Sequence, residues 1–438
     1  MRNWILAGVA CVALNALSAP ASAAATSPEL PAPGSNYGAA ADQAIGAFYA
    51  SHSSLWLRGP DSHAATALVG ILQRASLDGL PSGPAMAMQA QSLIARASTG
   101  DSQAVKDAER FLSTAWVLYV QALQRPPAGT TYADKWVAPR QDSPAQILAR
   151  ASAAPSLAAY VRNVAAVNPV YAQLRDTAWS EMQANGGAAD PRVLASLDRV
   201  RDMPFQKRYV IVDAAGARLY MIDNGRIADS MKVIVGKSDP STQTPMLAST
   251  IYYATLNPYW HVSPELVRST IAHNVLSQGL GYLKTRGYQV MPAGSGDDTL
   301  LDPAEVDWHA VAEGREQVRV RQLPGPANSM GRLKIGFPNA DDIYLHDTPV
   351  KTAFASDDRG LSHGCIRLED AERLGRWLLG RDPQADSGTP EQQALLPTPV
   401  PIYVTYLTAQ ARDGMIAFVD DIYGRDAQHG SQIAYTAN

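Results

Sequence analysis

The spacing of apolar residues changes near residue 205, and this change constrains the fold more strongly than any other feature. Between about residues 38 and 200, apolar residues recur every three or four positions, as at Phe111 and Ala115. This spacing predicts amphipathic α-helices. Beyond it come short β-branched and aromatic runs such as 209–213 (YVIVD). We therefore expect an α+β chain, in which a helical part precedes a mainly-β part.

The β-rich part contains several strand patterns and one clear hairpin signal. Asn224 and Gly225 lie between two of these runs and suit the two left-handed positions of a tight turn. Residues 369–380 instead show helical spacing, with Gly380 as the stop. We predict strands near 209–213, 217–222, 231–235, 249–256, 317–322, 331–337, 342–346 and 399–407.

Residues 258–315 are the least regular stretch of the β-rich part. A long irregular segment inside a compact domain is often a lid or a binding loop, so we expect a lid over 258–325. Its aromatic residues Tyr259, Trp260 and Tyr282 then have two interpretations. They offer flat surfaces to a substrate, or they pack a small core of the segment itself.

The first 25 residues have the pattern of a cleavable signal peptide. A basic residue, Arg2, precedes an apolar run over residues 4–17, and a small-residue site follows at 21–23. The run is shorter than the ~20 residues that a membrane-spanning helix needs. We therefore expect a mature protein outside the cytoplasm, or one tethered by a helix that is not removed.

Charge and cysteine content narrow the function. The chain has 37 Lys and Arg residues against 41 Asp and Glu residues, a net charge of −4. It shows no block of basic residues of the kind that nucleic-acid binding needs. Of its two cysteines, Cys11 lies in the signal run, so the mature chain keeps only Cys365. A single cysteine in an exported protein indicates an intermolecular disulfide or a reactive thiol.

The residues around Cys365 are compatible with a nucleophilic thiol. A thiol of ordinary pKa, about 8.5, needs a neighbouring base or a positive potential to react as a thiolate. His346 ends an apolar strand pattern, which is a rigid place from which to aim an imidazole. His363 lies two residues before Cys365, so both side chains share one face of an extended backbone. Gly364 suits a tight turn, in which its amide and that of Cys365 could face an oxyanion.

Three other interpretations of Cys365 stay open at this point. A lone buried cysteine is usually only a small hydrophobic side chain. His346, His363, Cys365 and Asp347 form a conceivable zinc set, although His-x-Cys is not a usual ligand pair. An intermolecular disulfide is the third interpretation. We expect no metal ion and no other cofactor.

The pattern around these residues resembles that of the L,D-transpeptidase family, whose enzymes carry the YkuD catalytic domain and act on bacterial cell walls. The family pattern is a histidine, a spacer, and then Ser/Thr-His-Gly-Cys followed by an apolar residue and Arg or Asn. His346, a spacer of 15 residues and 362–367 (SHGCIR) fit every position. The likeness to the long Gram-negative subgroup with a helical scaffold extends through 257–266, 331–339, 344–355 and 400–426.

The resemblance implies a role for each matching residue. Cys365 would be the nucleophile and His346 the base that forms its thiolate, with the carbonyl of Asp347 as acceptor for the other ring nitrogen. The amides of His363, Gly364 and Cys365 would form the oxyanion hole. The remaining candidates for substrate binding or support are Ser362, Arg367, Tyr344, Trp260 and Tyr259.

The resemblance also implies a reaction and its partners, the peptidoglycan stem peptides. Cys365 would attack the carbonyl of the diaminopimelate L-centre in a tetrapeptide stem, releasing D-Ala and leaving a thioester. The side-chain amine of a second stem would resolve the thioester into a 3–3 cross-link. A 1–3 linkage, L,D-carboxypeptidation and D-amino-acid exchange use the same thiol chemistry. A non-catalytic wall-binding scaffold protein is the alternative from another class.

These expectations divide the chain into parts. We predict a signal peptide over 1–25, a linker over 26–37, a helical scaffold domain over 38–204, a β-sandwich catalytic domain over 205–426 and a tail over 427–438. Many members of the subgroup carry a small wall-binding module between scaffold and catalytic domain, and this sequence lacks it. The signal peptide and the family together imply a periplasmic protein.

Overall fold

The computed structural model describes residues 36–57, 63–201, 206–294, 296 and 298–427. The predicted signal peptide, the linker up to residue 35 and the tail beyond residue 427 lie outside the described residues. The first helix begins at Asn36, just inside the stretch that the sequence predicts as a linker.

The N-terminal part is helical, as the three- and four-residue spacing predicts. Large side chains such as Trp56 and Trp116 are buried in the core between its helices. None of the helices in the described ranges is both long and apolar enough to cross a membrane. The elements described here are α1 (Asn36–Ser51), α2 (His63–Gln73), α3 (Gly83–Ala97), α4 (Ser102–Leu123), β1 (Thr131–Tyr132), α5 (Pro144–Ser152), α6 (Leu157–Ala166), α7 (Pro169–Asn185) and α8 (Pro191–Arg199).

The C-terminal part is rich in strands, and every predicted strand is present. Asn224 and Gly225 both have positive φ and turn one strand into the next, as the hairpin signal predicts. The predicted helix ends at Gly380, which has left-handed φ. The elements are β2 (Arg208–Asp213), β3 (Arg218–Asp223), β4 (Arg226–Gly236), β5 (Leu247–Leu256), β6 (Trp260–Val262), α9 (Pro264–Leu266), a π-helix (Val267–Ala272), α10 (His273–Gln278), α11 (Gly281–Arg286), β7 (Tyr288–Pro292), a 3-10 helix (Pro303–Glu305), α12 (Trp308–Glu313), β8 (Val318–Gln322), β9 (Leu333–Gly336), β10 (Tyr344–His346), a 3-10 helix (Lys351–Ala355), β11 (Gly360–Ser362), β12 (Ile366–Leu368), α13 (Ala371–Leu379), β13 (Gln392–Thr405), β14 (Ala409–Arg412) and β15 (Met415–Phe418).

Eight of these strands form one closed sheet. Their order is β5-β13-β2-β3-β4-β12-β10-β9, and pairing of β9 with β5 closes the ring. β13 pairs with β2, and β10 with β12, in parallel, whereas the other neighbours in the ring are antiparallel. The expected α+β class is confirmed. In place of the expected β-sandwich there is one closed sheet. Hydrogen bonds between β5 and β9 join the two edges that would otherwise be free.

The helical part and the closed sheet share a hydrophobic core. Along β2, Val210 faces the inside of the closed sheet, and the next residue, Ile211, faces outward, because side chains alternate along a strand. The outward residues of β2 and β13, such as Ile211 and Tyr403, pack against Leu174 of α7 and Leu197 of α8. β1 adds to this contact by pairing in parallel with β5. The helices therefore cover one side of the sheet.

The predicted lid has a regular structure of its own. β6, β8 and β7 form a separate three-stranded sheet, and α9 to α12 pack with it around a core that contains Val262, Ile271 and Val320. The expectation of an irregular segment is wrong. The sequence predicts β8, but β6 and β7 are only 3 and 5 residues long and the helices are short, so these elements leave little periodic pattern in the sequence.

Candidate active site

Two neighbouring strands bring the predicted residues to one face of the closed sheet. β10 and β12 pair in parallel, with Leu345 opposite Ile366 and His346 opposite Arg367. Leu345 and Ile366 are buried inside the closed sheet. Because side chains alternate along a strand, His346 and Arg367 lie on the other face. Cys365 lies in the turn just before β12 and hydrogen-bonds with Tyr344, whose ring centroid lies 5.7 Å from that of His346.

Ser362 and Gly364 hold the turn that carries Cys365. Ser362 is buried; its Oγ accepts a hydrogen bond from the Gly364 amide at 3.1 Å and donates one to the Cys365 carbonyl at 2.6 Å. Gly364 has a φ of 110°, which L side chains rarely adopt, and a Cβ there would lie 3.0 Å from Cδ1 of Ile343. The turn therefore depends on glycine at this position and on the serine hydroxyl.

The Gly364 amide is occupied within this turn. Its N–H donates to Ser362 Oγ, so it does not point freely at a substrate oxygen. The expectation that three consecutive amides form an oxyanion hole therefore does not hold for Gly364. The amides of His363 and Cys365, on either side of Gly364, remain the candidate donors of the oxyanion hole.

His346 is buried and uncharged at neutral pH. Its Nδ1 lies 2.6 Å from the carbonyl oxygen of Asp347, the acceptor that the resemblance implies. A carbonyl oxygen only accepts, so Nδ1 carries the proton and Nε2 keeps its lone pair. Burial, with a contribution from the charge of Arg367, lowers the pKa of His346 to about 3. The imidazole is therefore a neutral proton acceptor.

Cys365 is a free thiol whose resting state is also neutral. Burial raises the pKa of Cys365, while hydrogen bonding with Tyr344 and the charges of Lys334 and Arg367 oppose this shift. Its Sγ lies 3.7 Å from the carbonyl oxygen of Asp342. With a raised thiol pKa and a lowered imidazole pKa, a preformed ion pair is not favoured.

Lys334 belongs to the same face, although no motif points to it. It pairs across the sheet with His346, and its Nζ lies 4.3 Å from the centroid of the Tyr344 ring. Its neighbours Leu333 and Ile335 are buried inside the closed sheet. The sequence contains one signal for Lys334, because it is a charged residue between two apolar residues of a predicted strand.

His363 has different surroundings from His346. Its side chain is exposed. Partial burial and the charges of Lys237 and Arg367 lower its pKa, and Glu265 of the lid opposes that shift. Among the contacts that the structure describes, none joins the ring of His363 or of His346 to the sulfur of Cys365, which lies 3.7 Å from the Asp342 carbonyl oxygen. His346 differs from His363 in being buried and held by the carbonyl of Asp347.

The zinc set considered for His346, His363, Cys365 and Asp347 is not assembled. Asp347 binds Lys351 through its carboxylate, with Nζ at 2.7 Å, and His346 binds Asp347 only through the backbone. In the described ranges, no three His, Cys, Asp or Glu side chains lie close enough together to hold a metal ion.

Comparison with known protein families assigns both parts of the chain. The family model described as the L,D-transpeptidase catalytic domain (YkuD) matches residues 207–402, and the model described as the scaffold domain matches residues 43–177. The chain carries an L,D-transpeptidase catalytic domain. The family is one of cysteine transpeptidases, and Cys365 is the single cysteine within the matched residues.

Individual relatives are distant. The chain is 27% identical over 244 residues to a protein of Haemophilus influenzae named "Putative L,D-transpeptidase", covering 54% of this chain and 48% of the relative. It thus spans about half the length of this curated relative. An L,D-transpeptidase mutant from Enterococcus faecium is 12% identical with a TM-score of 0.22, covering 45% of this chain and 50% of that chain. An L,D-transpeptidase from Xylanimonas cellulosilytica is 16% identical with a TM-score of 0.20, covering 53% and 79%.

The lid aromatics of the L,D-transpeptidase domain are used in packing. Trp260 and Tyr282 pack against the hydrophobic core of the lid, where both approach Tyr288. Tyr259 lies beneath the guanidinium of Arg321, 4.5 Å from its carbon to the ring centroid. The packing interpretation therefore accounts for Trp260 and Tyr282.

Two cavities open at opposite ends of the β9–β10 pair in the L,D-transpeptidase domain. One of about 350 Å³ is lined by Tyr253, Lys334, Asn339, Asp342 and Tyr344, among others. The other, of about 890 Å³, lies beside the lid and is lined by charged residues that include Arg332, Asp347, Lys351, Glu369 and Arg373. Lys334 lines the smaller cavity and Asp347 the larger one, whereas His346 and Cys365 line neither.

Proposed function

We propose that this protein forms 3–3 cross-links between peptidoglycan stems, with Cys365 as the nucleophile. The observation that carries the proposal is a free thiol whose hydrogen-bond partner, Tyr344, lies beside the buried, neutral imidazole of His346. Sγ attacks the carbonyl of the diaminopimelate L-centre in a tetrapeptide stem, the peptide bond to D-Ala breaks, and a thioester forms. The side-chain amine of a second stem then attacks the thioester and releases the thiol.

His346 carries the proton between these steps. Nε2 accepts the proton of Cys365 while the sulfur attacks, and it returns that proton to the amine of the leaving D-Ala. Burial and Arg367 disfavour the imidazolium, so the proton is readily given up. The carbonyl of Asp347 keeps the ring in the tautomer that this transfer needs.

The negative charge of the tetrahedral intermediate is stabilised by the amides of His363 and Cys365. Lys334 and Arg367 add positive potential at the same face and favour the developing thiolate. Ser362 holds the turn through its two hydrogen bonds. Ser362 therefore supports the turn and is not a nucleophile, since its hydroxyl already donates one hydrogen bond and accepts another.

Two separate cavities suit a reaction with a donor and an acceptor. The larger cavity combines cations, such as Arg332 and Arg373, with the carboxylates of Asp347 and Glu369. Such mixed charge complements a centre that carries both an amine and a carboxylate, as the side chain of diaminopimelate does. We therefore assign the acceptor to this cavity and the donor to the smaller one beside Tyr344.

The test is product analysis with purified muropeptides. We expect the wild type to convert disaccharide-tetrapeptides into 3–3 dimers and free D-Ala, as read by mass spectrometry. Cys365→Ala is the inactive control. A 1–3 dimer would instead indicate 1–3 cross-linking, and a tripeptide alone would indicate L,D-carboxypeptidation. A stem with an exchanged terminal residue would indicate D-amino-acid exchange. No product of any kind would favour the non-catalytic scaffold alternative.

We also propose that the protein is exported to the periplasm, where its substrate lies. The basis is the signal-peptide pattern of residues 1–25. Cell fractionation and N-terminal sequencing of the mature protein test this proposal. An unprocessed protein recovered from the cytoplasm would contradict it.

A further inference from the structure

Thr244 lies behind the turn of Cys365 and contacts it directly. It follows β4 and is fully buried. Its Oγ1 donates a hydrogen bond to the carbonyl of Gly364 at 2.8 Å and accepts one from the amide of Gly236 at 2.9 Å. Thr244 therefore joins the end of β4 to the residue that precedes the nucleophile.

The bond to the Gly364 carbonyl also sets the direction of the next amide. The Gly364 carbonyl and the Cys365 N–H belong to one peptide unit, which is planar and trans, so the two groups point in opposite directions. Fixing the carbonyl thus fixes the N–H of Cys365, one of the two proposed oxyanion donors. Gly364 has a φ of 110° and few steric restraints of its own. The orientation of this peptide unit therefore depends on a partner such as Thr244.

A C-terminal segment, residues 421–426, holds Thr244 in place. The Tyr423 hydroxyl donates to the Gly236 carbonyl at 2.6 Å and accepts from the Thr244 amide at 3.4 Å. Nη2 of Arg425 donates to the Thr244 carbonyl at 3.0 Å. The Arg425 guanidinium also lies 4.9 Å from the ring centroid of Tyr423. Both backbone groups of Thr244 are therefore bound by this segment.

Helix α8 of the helical part anchors the C-terminal segment. Arg199 is buried and donates to the Asp426 carboxylate and to the Arg425 carbonyl, both at 2.7 Å. Its own carbonyl accepts a hydrogen bond from Thr405 Oγ1 at 2.9 Å. A chain of contacts thus connects the helical part to the carbonyl of Gly364.

We infer that Thr244 is a positioning residue for the oxyanion-binding amide of Cys365, and that residues 421–426, anchored by Arg199, keep it in place. The inference rests on the proposed function, because it requires an oxyanion at the Cys365 amide. It gives the C-terminal segment and α8 an influence on catalysis without any contact with substrate.

The test compares two reactions of Cys365 in matched variants. Acylation by a carbapenem passes through an oxyanion, whereas alkylation by iodoacetamide does not. Thr244→Val removes the hydroxyl and keeps the shape, and Thr244→Ser keeps the hydroxyl. Thr250→Val is the matched control, because Thr250 is equally buried and its hydroxyl has no hydrogen-bond partner among the described residues. Both rates are followed by intact-protein mass spectrometry.

We expect Thr244→Val to lower the acylation rate by about 10- to 100-fold, because a displaced donor loses part of the stabilisation that an oxyanion hole provides. Its alkylation rate stays at the wild-type value. Thr244→Ser and Thr250→Val acylate as the wild type does. Acylation of Thr244→Val at the wild-type rate would overturn the inference. An equal loss of both reactions would also overturn it, because that result indicates a disordered turn.

If Thr244→Val does not fold, Tyr423→Phe decides the question. This variant keeps the ring beside Arg425 and removes only the hydroxyl that binds Gly236 and Thr244. We expect slower acylation with unchanged alkylation, and unchanged acylation would contradict the inference. A wild type that no carbapenem acylates would contradict the proposed function instead, so the two failures are distinct.

Discussion

At the scale of single residues, the site is built around a histidine that stays neutral. Burial next to Arg367 lowers the pKa of His346 to about 3, and the carbonyl of Asp347 fixes which nitrogen carries the proton. A histidine of ordinary pKa would be partly protonated in mildly acidic surroundings, where it could not act as a base. His346 keeps its lone pair there, but the shift lowers stability in acid.

The first prediction concerns that loss of stability. The unfolded chain protonates His346 near pH 6.5 and the folded protein only near pH 3, so stability is complete above pH 6.5 and falls as the pH is lowered towards 3. Between pH 7 and 4.5, the wild type should lose about 2 to 3 kcal/mol more free energy of unfolding than His346→Asn. Urea denaturation at both pH values measures this, and an equal loss in both proteins would refute the assigned pKa.

The second prediction separates the two histidines of the motif. His346→Asn should lower the rate of Cys365 acylation by at least about 100-fold, because it removes the general base. His363→Asn should keep most of the rate, since the role proposed for His363 involves only its backbone amide. Acylation rates followed by mass spectrometry compare the variants directly. The reverse order of effects would transfer the base role to His363.

At the scale of elements, the turn between β11 and β12 determines where the thiol lies. Gly364→Ala should lower acylation and cost about 1 to 3 kcal/mol of stability, because a Cβ at φ 110° is strained and meets Ile343. Gly100→Ala is the matched control, with φ of 84°, no atom within 4 Å of its Cβ, and a place in the helical part. It should lose stability while acylation is unchanged. Slow acylation in both variants would show that the turn has no special role.

Elements with a local pattern were predictable from the sequence, and those that depend on distant pairing were not. Residues 209–213 reveal β2 by their β-branched run, and Gly380 marks the end of α13. The closure of the sheet depends on pairing of β5 with β9, which are far apart in the chain, and no local signal reports it. The hydrogen bond from the Gly364 amide to Ser362 could not be predicted either, because it depends on the orientation of the Ser362 side chain.

At the scale of the whole molecule, the helical part and the closed sheet are predicted to unfold together, because they share a core. Leu197 of α8 is 1% exposed in that core, whereas Leu194 of the same helix is 37% exposed. Leu197→Ala should cost about 2 to 5 kcal/mol and Leu194→Ala less than about 1 kcal/mol. Differential scanning calorimetry should show one transition, which Leu197→Ala moves as a whole. Two separated transitions, only one of them shifted, would contradict a shared core.

The further inference extends this coupling from helix α8 to the active site. Arg199 connects α8 to the C-terminal segment, and Thr244 connects that segment to the turn of Cys365. The helical part covers the sheet, and the inference predicts that a change at Arg199 also affects the turn of Cys365.

We propose that Cys365 is the thiol that becomes acylated and that His346 is its base, and intact-protein mass spectrometry with a carbapenem decides this claim. The wild type should gain one covalent adduct, Cys365→Ala none, and His346→Asn an adduct only after far longer incubation. An unmodified wild type, or an adduct that persists in Cys365→Ala, would contradict the claim.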